Sequence, residues 1–160
     1  MTLHAILNWY DESPTWLAGC VSSLSKIGVE HLVAVDGRYP HFDPGSPVRS
    51  SVDQVDAITS TADGIGIALT LHTIHHPITE PQKRTLAFKL LEASAEFRRD
   101  WVFVIDADEM IVDGTTAIVG ELDALPADTH VASSLVSSTV DPMSSPVPTT
   151  TSTSVPKRSI

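Results

Sequence analysis

Short apolar runs alternate with longer segments of helical spacing over the first 125 residues. Leu3 to Tyr10 is mostly apolar and opens without turn residues, which predicts a strand of the kind buried in parallel sheets covered on both faces. Asp11-Glu12-Ser13-Pro14 then supplies a helix start, with Ser13 as N-cap and Pro14 at the first helical position, where its missing N–H costs nothing. Leu17, Cys20, Val21, Leu24 and Ile27 follow at helical spacing, and Gly28 ends the helix. A second strand is predicted over Glu30 to Val35, closed by Asp36-Gly37. Arg38 to Ser51 is rich in Pro, Gly and Ser and reads as a loop. Val52 to Thr61 is a less regular helix, and Ile65 to Ile74 a third strand with His72, His75 and His76 near its end. Thr79-Glu80-Pro81 opens another helix, with Leu86, Leu90, Leu91 and Phe97 on one side and Lys83, Arg84 and Lys89 elsewhere. Trp101 to Ile105 is a fourth strand that runs directly into Asp106-Ala107-Asp108-Glu109. Thr115 to Leu125 reads as a helix stopped by Pro126, and Val131 to Val136 as a fifth strand.

Strand and helix thus alternate about four times, which predicts an α/β domain with a mostly parallel sheet between two helical layers and right-handed crossovers. The pattern then stops. From Ser137 to Ile160, Ser, Thr and Pro supply 16 of 24 positions, too little apolar surface to offset the entropy of ordering. The expected organisation is one domain over residues 1–136, incomplete on its C-terminal side, followed by a disordered tail over 137–160.

Charge and cysteine content narrow the setting. The 160 residues carry a net −10, and the part before the tail holds 19 acids against 8 bases, five of them between Lys83 and Arg99. That balance argues against a nucleic-acid binder held by phosphate contacts. No run approaches the roughly 20 apolar residues that span a bilayer. A single cysteine and no recognisable secretory leader predict a cytoplasmic protein. Cys20 falls on the apolar helix stripe, and Trp9, Trp16 and Trp101 fall where packing is expected. His75 and His76 read as a turn, and His130, before the fifth strand, as structural.

The acids gather where predicted strands end: Asp11 and Glu12 after the first, Asp36 after the second, Asp106 and Asp108 after the fourth. In open parallel sheets that edge is where ligands bind. Asp11-Glu12 alone reads as a cap or loop, and Asp36-Gly37 alone as a turn. An acid-x-acid pair closing the most apolar strand is costly without a role. Crowded carboxylates call for a cation, and oxygen ligands select Mg²⁺ or Mn²⁺. The expectation is that Glu12, Asp36, Asp106 and Asp108 share one cavity.

These residues, in this order, resemble the GT-A glycosyltransferases of the family 2 type. Tyr10-Asp11-Glu12 is similar to the motif that closes that family's first strand, Val33-Ala34-Val35-Asp36-Gly37 to its second, and Trp101 to Glu109 to its Asp-x-Asp motif, while Glu80-Pro81-Gln82-Lys83-Arg84 resembles a basic helix start found ahead of that motif. The likeness covers about residues 3 to 125. It implies a Rossmann-like GT-A fold and a metal-dependent transfer of sugar from a nucleotide-diphospho-sugar donor to an unidentified acceptor. Glu12 and Asp36 would help hold the base and ribose, with Tyr10 and Asp11 completing that donor motif. Asp106 would contact ribose or metal, Asp108 would ligate Mn²⁺ or Mg²⁺, and Lys83 or Arg84 would bind the diphosphate. Asp11 stands where Asn is usual, and Arg38-Tyr39 where small polar residues are usual. Ser137 onward offers only Asp141 as an acid for a catalytic base, so the alternative is a truncated, non-catalytic nucleotide-sugar-binding fragment. Other frames fit less well. Met110 stands where a haloacid-dehalogenase motif needs Thr or Val, Met110 and Ile111 break a calcium loop, and Asn8 to Pro14 has no Gly for a dinucleotide turn.

Overall fold

The computed structural model describes residues 2–94, 100–112 and 117–126, together with Thr129. The predicted fifth strand, the Ser/Thr/Pro tail, Phe97 and His130 lie outside the described residues. The elements are β1 (Leu3–Trp9), α1 (Pro14–Ser23) with a 3₁₀ turn (Leu24–Ile27), β2 (Val29–Asp36), α2 (Val52–Ile65), β3 (Ala68–Thr73), α3 (Glu80–Ser94), β4 (Trp101–Asp106) and α4 (Ala117–Asp123). The four strands form one all-parallel sheet in the order β3-β2-β1-β4. The α/β alternation of the sequence is therefore the architecture of the protein.

β1 lies inside the sheet and is buried along its whole length, which is why its sequence is a run rather than an alternation. Its side chains nevertheless divide between two cores. Leu3, Ala5, Leu7 and Trp9 pack with Leu17, Cys20 and Val21 of α1 and Ile58 and Ala62 of α2. Ile6 packs on the other face with Val33 and Val35 of β2 and Ala87 and Leu91 of α3. Each fully buried Leu or Ile contributes on the order of 2 kcal/mol of transfer free energy, so this strand carries much of the fold.

Local sequence sets the element ends. Pro14 opens α1, but the Ser13 side chain makes no cap hydrogen bond. The 3₁₀ turn closes on Gly28 at φ 76°. Ser51 and Gln54 form a reciprocal capping box at the start of α2. α2 runs on to Ile65 and ends at Gly66 in the left-handed region, so β3 begins at Ala68, later than the apolar run implied. Trp16 is 42% exposed, against the expectation that it packs.

Candidate functional site

The C-terminal edge of the sheet is assembled from three loops and the first turn of α3. Register sets the geometry. Trp9 pairs with Asp36 on one side and Asn8 with Asp106 on the other, so the two strand-end acids flank β1. They do not share a face. Asp36 follows Ala34, which packs on the α1–α2 side, whereas Asp106 continues the Val102 and Val104 series on the α3 side.

Asp36 is fully buried, and its carboxylate accepts the Ser50 N–H at 3.0 Å and the Ser50 hydroxyl at 2.7 Å. Burial raises its pKa, and the two Ser50 bonds pull the other way. It is the anchor of the 37–51 loop, a role that depends on a residue 14 positions away and is invisible locally. Arg38 completes that loop from within: one guanidinium nitrogen donates to the carbonyls of Asp43, Pro44 and Ser46 at 2.6–3.0 Å. The Tyr10 hydroxyl donates to the Pro47 carbonyl. Asp11 adopts φ 61°, with its carboxylate 3.4 Å from the Gln54 amide nitrogen. Tyr10, Asp36 and Arg38 are thus occupied in holding the loop, and the expected single cavity of Glu12, Asp36, Asp106 and Asp108 is corrected: Asp36 is withdrawn on the opposite face.

Lys83 departs furthest from expectation. Its charge placed it away from the apolar side of its helix, yet it is fully buried, on the stripe that carries Ala87 and Leu91 one and two turns later. Its Nζ donates to the Trp9 carbonyl at 2.8 Å and sits 3.8 Å from the centroid of the Tyr39 ring. Burial lowers its pKa to about 8, opposed by Asp36, Glu12 and Glu80. Tyr39 is pushed up to about 12 by burial and by Glu12, Glu80 and Asp106. The signal was the spacing 83, 87, 91, which a charge-based assignment overrides.

Glu12 is half-buried and accepts the Tyr10 N–H at 2.7 Å. Burial raises its pKa, Lys83 lowers it, and Asp108 raises it again. Asp106 to Glu109 form a turn closed by the Glu109 N–H donating to the Asp106 carbonyl at 3.0 Å, and the Glu109 carboxylate accepts the Asp106 N–H at 3.1 Å. The turn is fixed from behind by α1 and the 3₁₀ turn that follows it. A Cβ on Gly19 would stand 2.8 Å from Met110 Sδ, Ser23 Oγ accepts the Ile111 N–H at 3.0 Å, and Lys26 Nζ donates to the carbonyls of Ile111 and Val112. The carboxylates it presents are unencumbered. Among the described residues neither Asp106 nor Asp108 accepts a hydrogen bond through its side chain; Asp106 Oδ1 lies 3.8 Å from Arg84 Nη2, and Arg84 pairs more closely with Glu80. Burial, then Glu109, raises the Asp106 pKa; Arg84 opposes, and Glu80 and Asp108 add to the rise.

The structure therefore brings Glu12, Lys83, Arg84, Asp106 and Asp108 to one edge and leaves the last three open to a ligand. Among the described residues no three His, Cys, Asp or Glu side chains are grouped to hold a metal ion. Two hard carboxylates on one rigid turn do match how Mg²⁺ and Mn²⁺ are bound when phosphate oxygens complete the shell. The accumulated like charge around Asp106 is what a cation would relieve. Among the described residues no helix is long and apolar enough to cross a membrane. No protein-family model matches the chain, and no curated protein matches it.

Proposed function

We propose that this chain is a metal-dependent glycosyltransferase of GT-A type that holds a nucleotide-diphospho-sugar over the C-terminal edge of β1 and β4. One observation carries the reading: the acid-x-acid turn is held rigidly from behind, while among the described residues its own carboxylates accept no hydrogen bond at the place where parallel sheets bind ligands. Asp106 lies among Glu109, Glu80 and Asp108, which Arg84 at 3.8 Å offsets in part, and a bound cation would offset the rest.

In this reading Asp106 and Asp108 would hold a Mg²⁺ or Mn²⁺ ion, which would supply Lewis-acid stabilisation of the negative charge on a departing nucleoside diphosphate. Arg84, half-exposed and paired with Glu80, exchanges that partner for a phosphate oxygen. Glu12 stands at the end of β1 to accept from a ribose hydroxyl. Lys83, capped by Tyr39 and bonded to Trp9, stays in place and offsets the acids rather than touching the diphosphate. Tyr10, Asp11 and Asp36 shape the floor through the 37–51 loop.

The test is calorimetry with Mn²⁺ and UDP, GDP, CDP, ADP and dTDP. At least one should bind only with the metal, and Asp106→Asn or Asp108→Asn should weaken that binding at least ~10-fold. Binding of none of the five by the wild type overturns the proposal. Release of nucleoside diphosphate from the matching nucleotide-sugar then separates a transferase from a fragment that binds without turnover.

A further inference from the structure

Asn8 is the least explained side chain in the described part of the protein. It sits near the end of an interior strand, is 3% exposed, and neither atom of its amide has a hydrogen-bond partner among the described residues. Such a group costs the full desolvation of a donor and an acceptor, and one that persists in a core calls for a partner outside the protein's own polar groups, such as a bound water or a ligand-linked group. Its position says what that is. Asn8 pairs in register with Asp106, and because neighbouring strands of a parallel sheet share their pleat, both side chains lie on the α3 face. A second orphan is on the same side: Arg84 Nε is buried without a hydrogen-bond partner among the described residues, while the Nη2 of that guanidinium is 3.8 Å from Asp106 Oδ1. One unsatisfied amide on β1, in register with Asp106, and one unsatisfied donor on α3, in the guanidinium that approaches Asp106, therefore lie on the face that carries this carboxylate.

We infer that Asn8 is a positioning residue for Asp106: when a divalent cation takes one carboxylate oxygen, the other turns inward to accept the Asn8 amide N–H, with Arg84 Nε as the second donor. This rests on the metal-dependent reading of the site. A ligating carboxylate that is itself hydrogen-bonded is fixed in direction, and losing such a partner typically lowers metal affinity ~10- to 100-fold. The buried amide is then a stability cost borne in the free protein for order in the loaded one.

The decisive property is a trade of opposite signs. Asn8→Leu keeps the branched shape and removes the orphaned polar atoms, so it should raise the melting temperature by ~3 °C or more. The same variant should weaken Mg²⁺-dependent binding of whichever of UDP, GDP, CDP, ADP and dTDP the wild type binds, ~10- to 100-fold. A higher melting temperature with affinity unchanged overturns the inference, as does a lower melting temperature in a folded variant, which would mean the fold itself satisfies the amide. A measurement on the wild type needs no variant. The side-chain ¹⁵N–¹H pair of Asn8, assigned through its own backbone, should move when Mg²⁺ and that nucleotide are added together and stay in place with either alone. An unmoved resonance overturns the inference even if the nucleotide binds. If the wild type binds no nucleoside diphosphate with either Mn²⁺ or Mg²⁺, the function proposal fails and takes the Asn8 role with it, an outcome distinct from binding that is indifferent to Asn8.

Discussion

Asp36 and Asp106 end the two strands that flank β1, one residue out of step in register, and they have opposite fates. Asp36 is sealed under Ser50 and holds a loop; Asp106 ends in a turn, its side chain 51% exposed and, among the described residues, without a hydrogen bond. The same residue type at the same end of the same sheet is structural in one place and chemically available in the other. The path of the chain beyond each strand makes the difference. After β2 it returns through Ser50 to cap α2 and closes over its acid, whereas after β4 it is drawn back onto α1 by Gly19, Ser23 and Lys26 and leaves its acids outside.

Removing Asp36 should break the symmetry of sequence most visibly. Asp36→Ala strands the Ser50 N–H and hydroxyl in a buried site and should cost about 3 kcal/mol in urea unfolding. A loss below about 1 kcal/mol would show that Asp36 does not anchor the loop.

Lys83, buried and bonded to the Trp9 carbonyl, should come next. Lys83→Met keeps the apolar stem but leaves the Trp9 carbonyl without its lysine donor and should cost about 2 kcal/mol near pH 7. Its pH signature has a defined sign. Its folded pKa near 8 lies below the ordinary 10.5, so between those values the unfolded chain binds more protons and this group makes stability rise with pH. Cys20 and Tyr39, both raised to about 12, act in the opposite direction above about pH 9 and 10. The wild type minus Lys83→Met difference isolates the lysine: it should become more favourable to the wild type from pH 8 to 10, and a flat difference would mean the ammonium is not desolvated.

The smallest effect on stability belongs to Asp106. Its contact with Arg84 is long and half-exposed, so Asp106→Asn should change unfolding by no more than about 0.5 kcal/mol while weakening the proposed metal-dependent nucleotide binding at least ~10-fold. A loss as large as that of Asp36→Ala would make Asp106 another anchor and remove the contrast.

How much the sequence made legible depends on the range of the forces involved. Strand and helix alternation, the start of α1 at Pro14 and the apolar run of β4 are set by neighbours a few positions apart, and these elements form as expected. The end of α2 was also local, since Gly66 marks it, but Ile65 and Ile67 were absorbed into an apolar run. The fate of Asp36 was not local, because it depends on Ser50 returning across the loop. Lys83 differs for another reason: its charge outweighs its spacing in the sequence, and the Trp9 carbonyl, the Tyr39 ring and the carboxylates of Asp36, Glu12 and Glu80 together make burial of an ammonium tolerable. Asn8 gave no signal of its own, since a single amide within an apolar run becomes conspicuous only when its surroundings are known to be dry.

The left-handed backbone of Asp11 bears on how this corner tolerates substitution. Asn and Asp enter that conformation at little cost, and branched side chains are excluded from it. Exchange of acid for amide there is conformationally neutral, so the torsion angle rather than the charge filters which residues can succeed Tyr10, and a valine at this corner would force the chain to leave the sheet in a different direction.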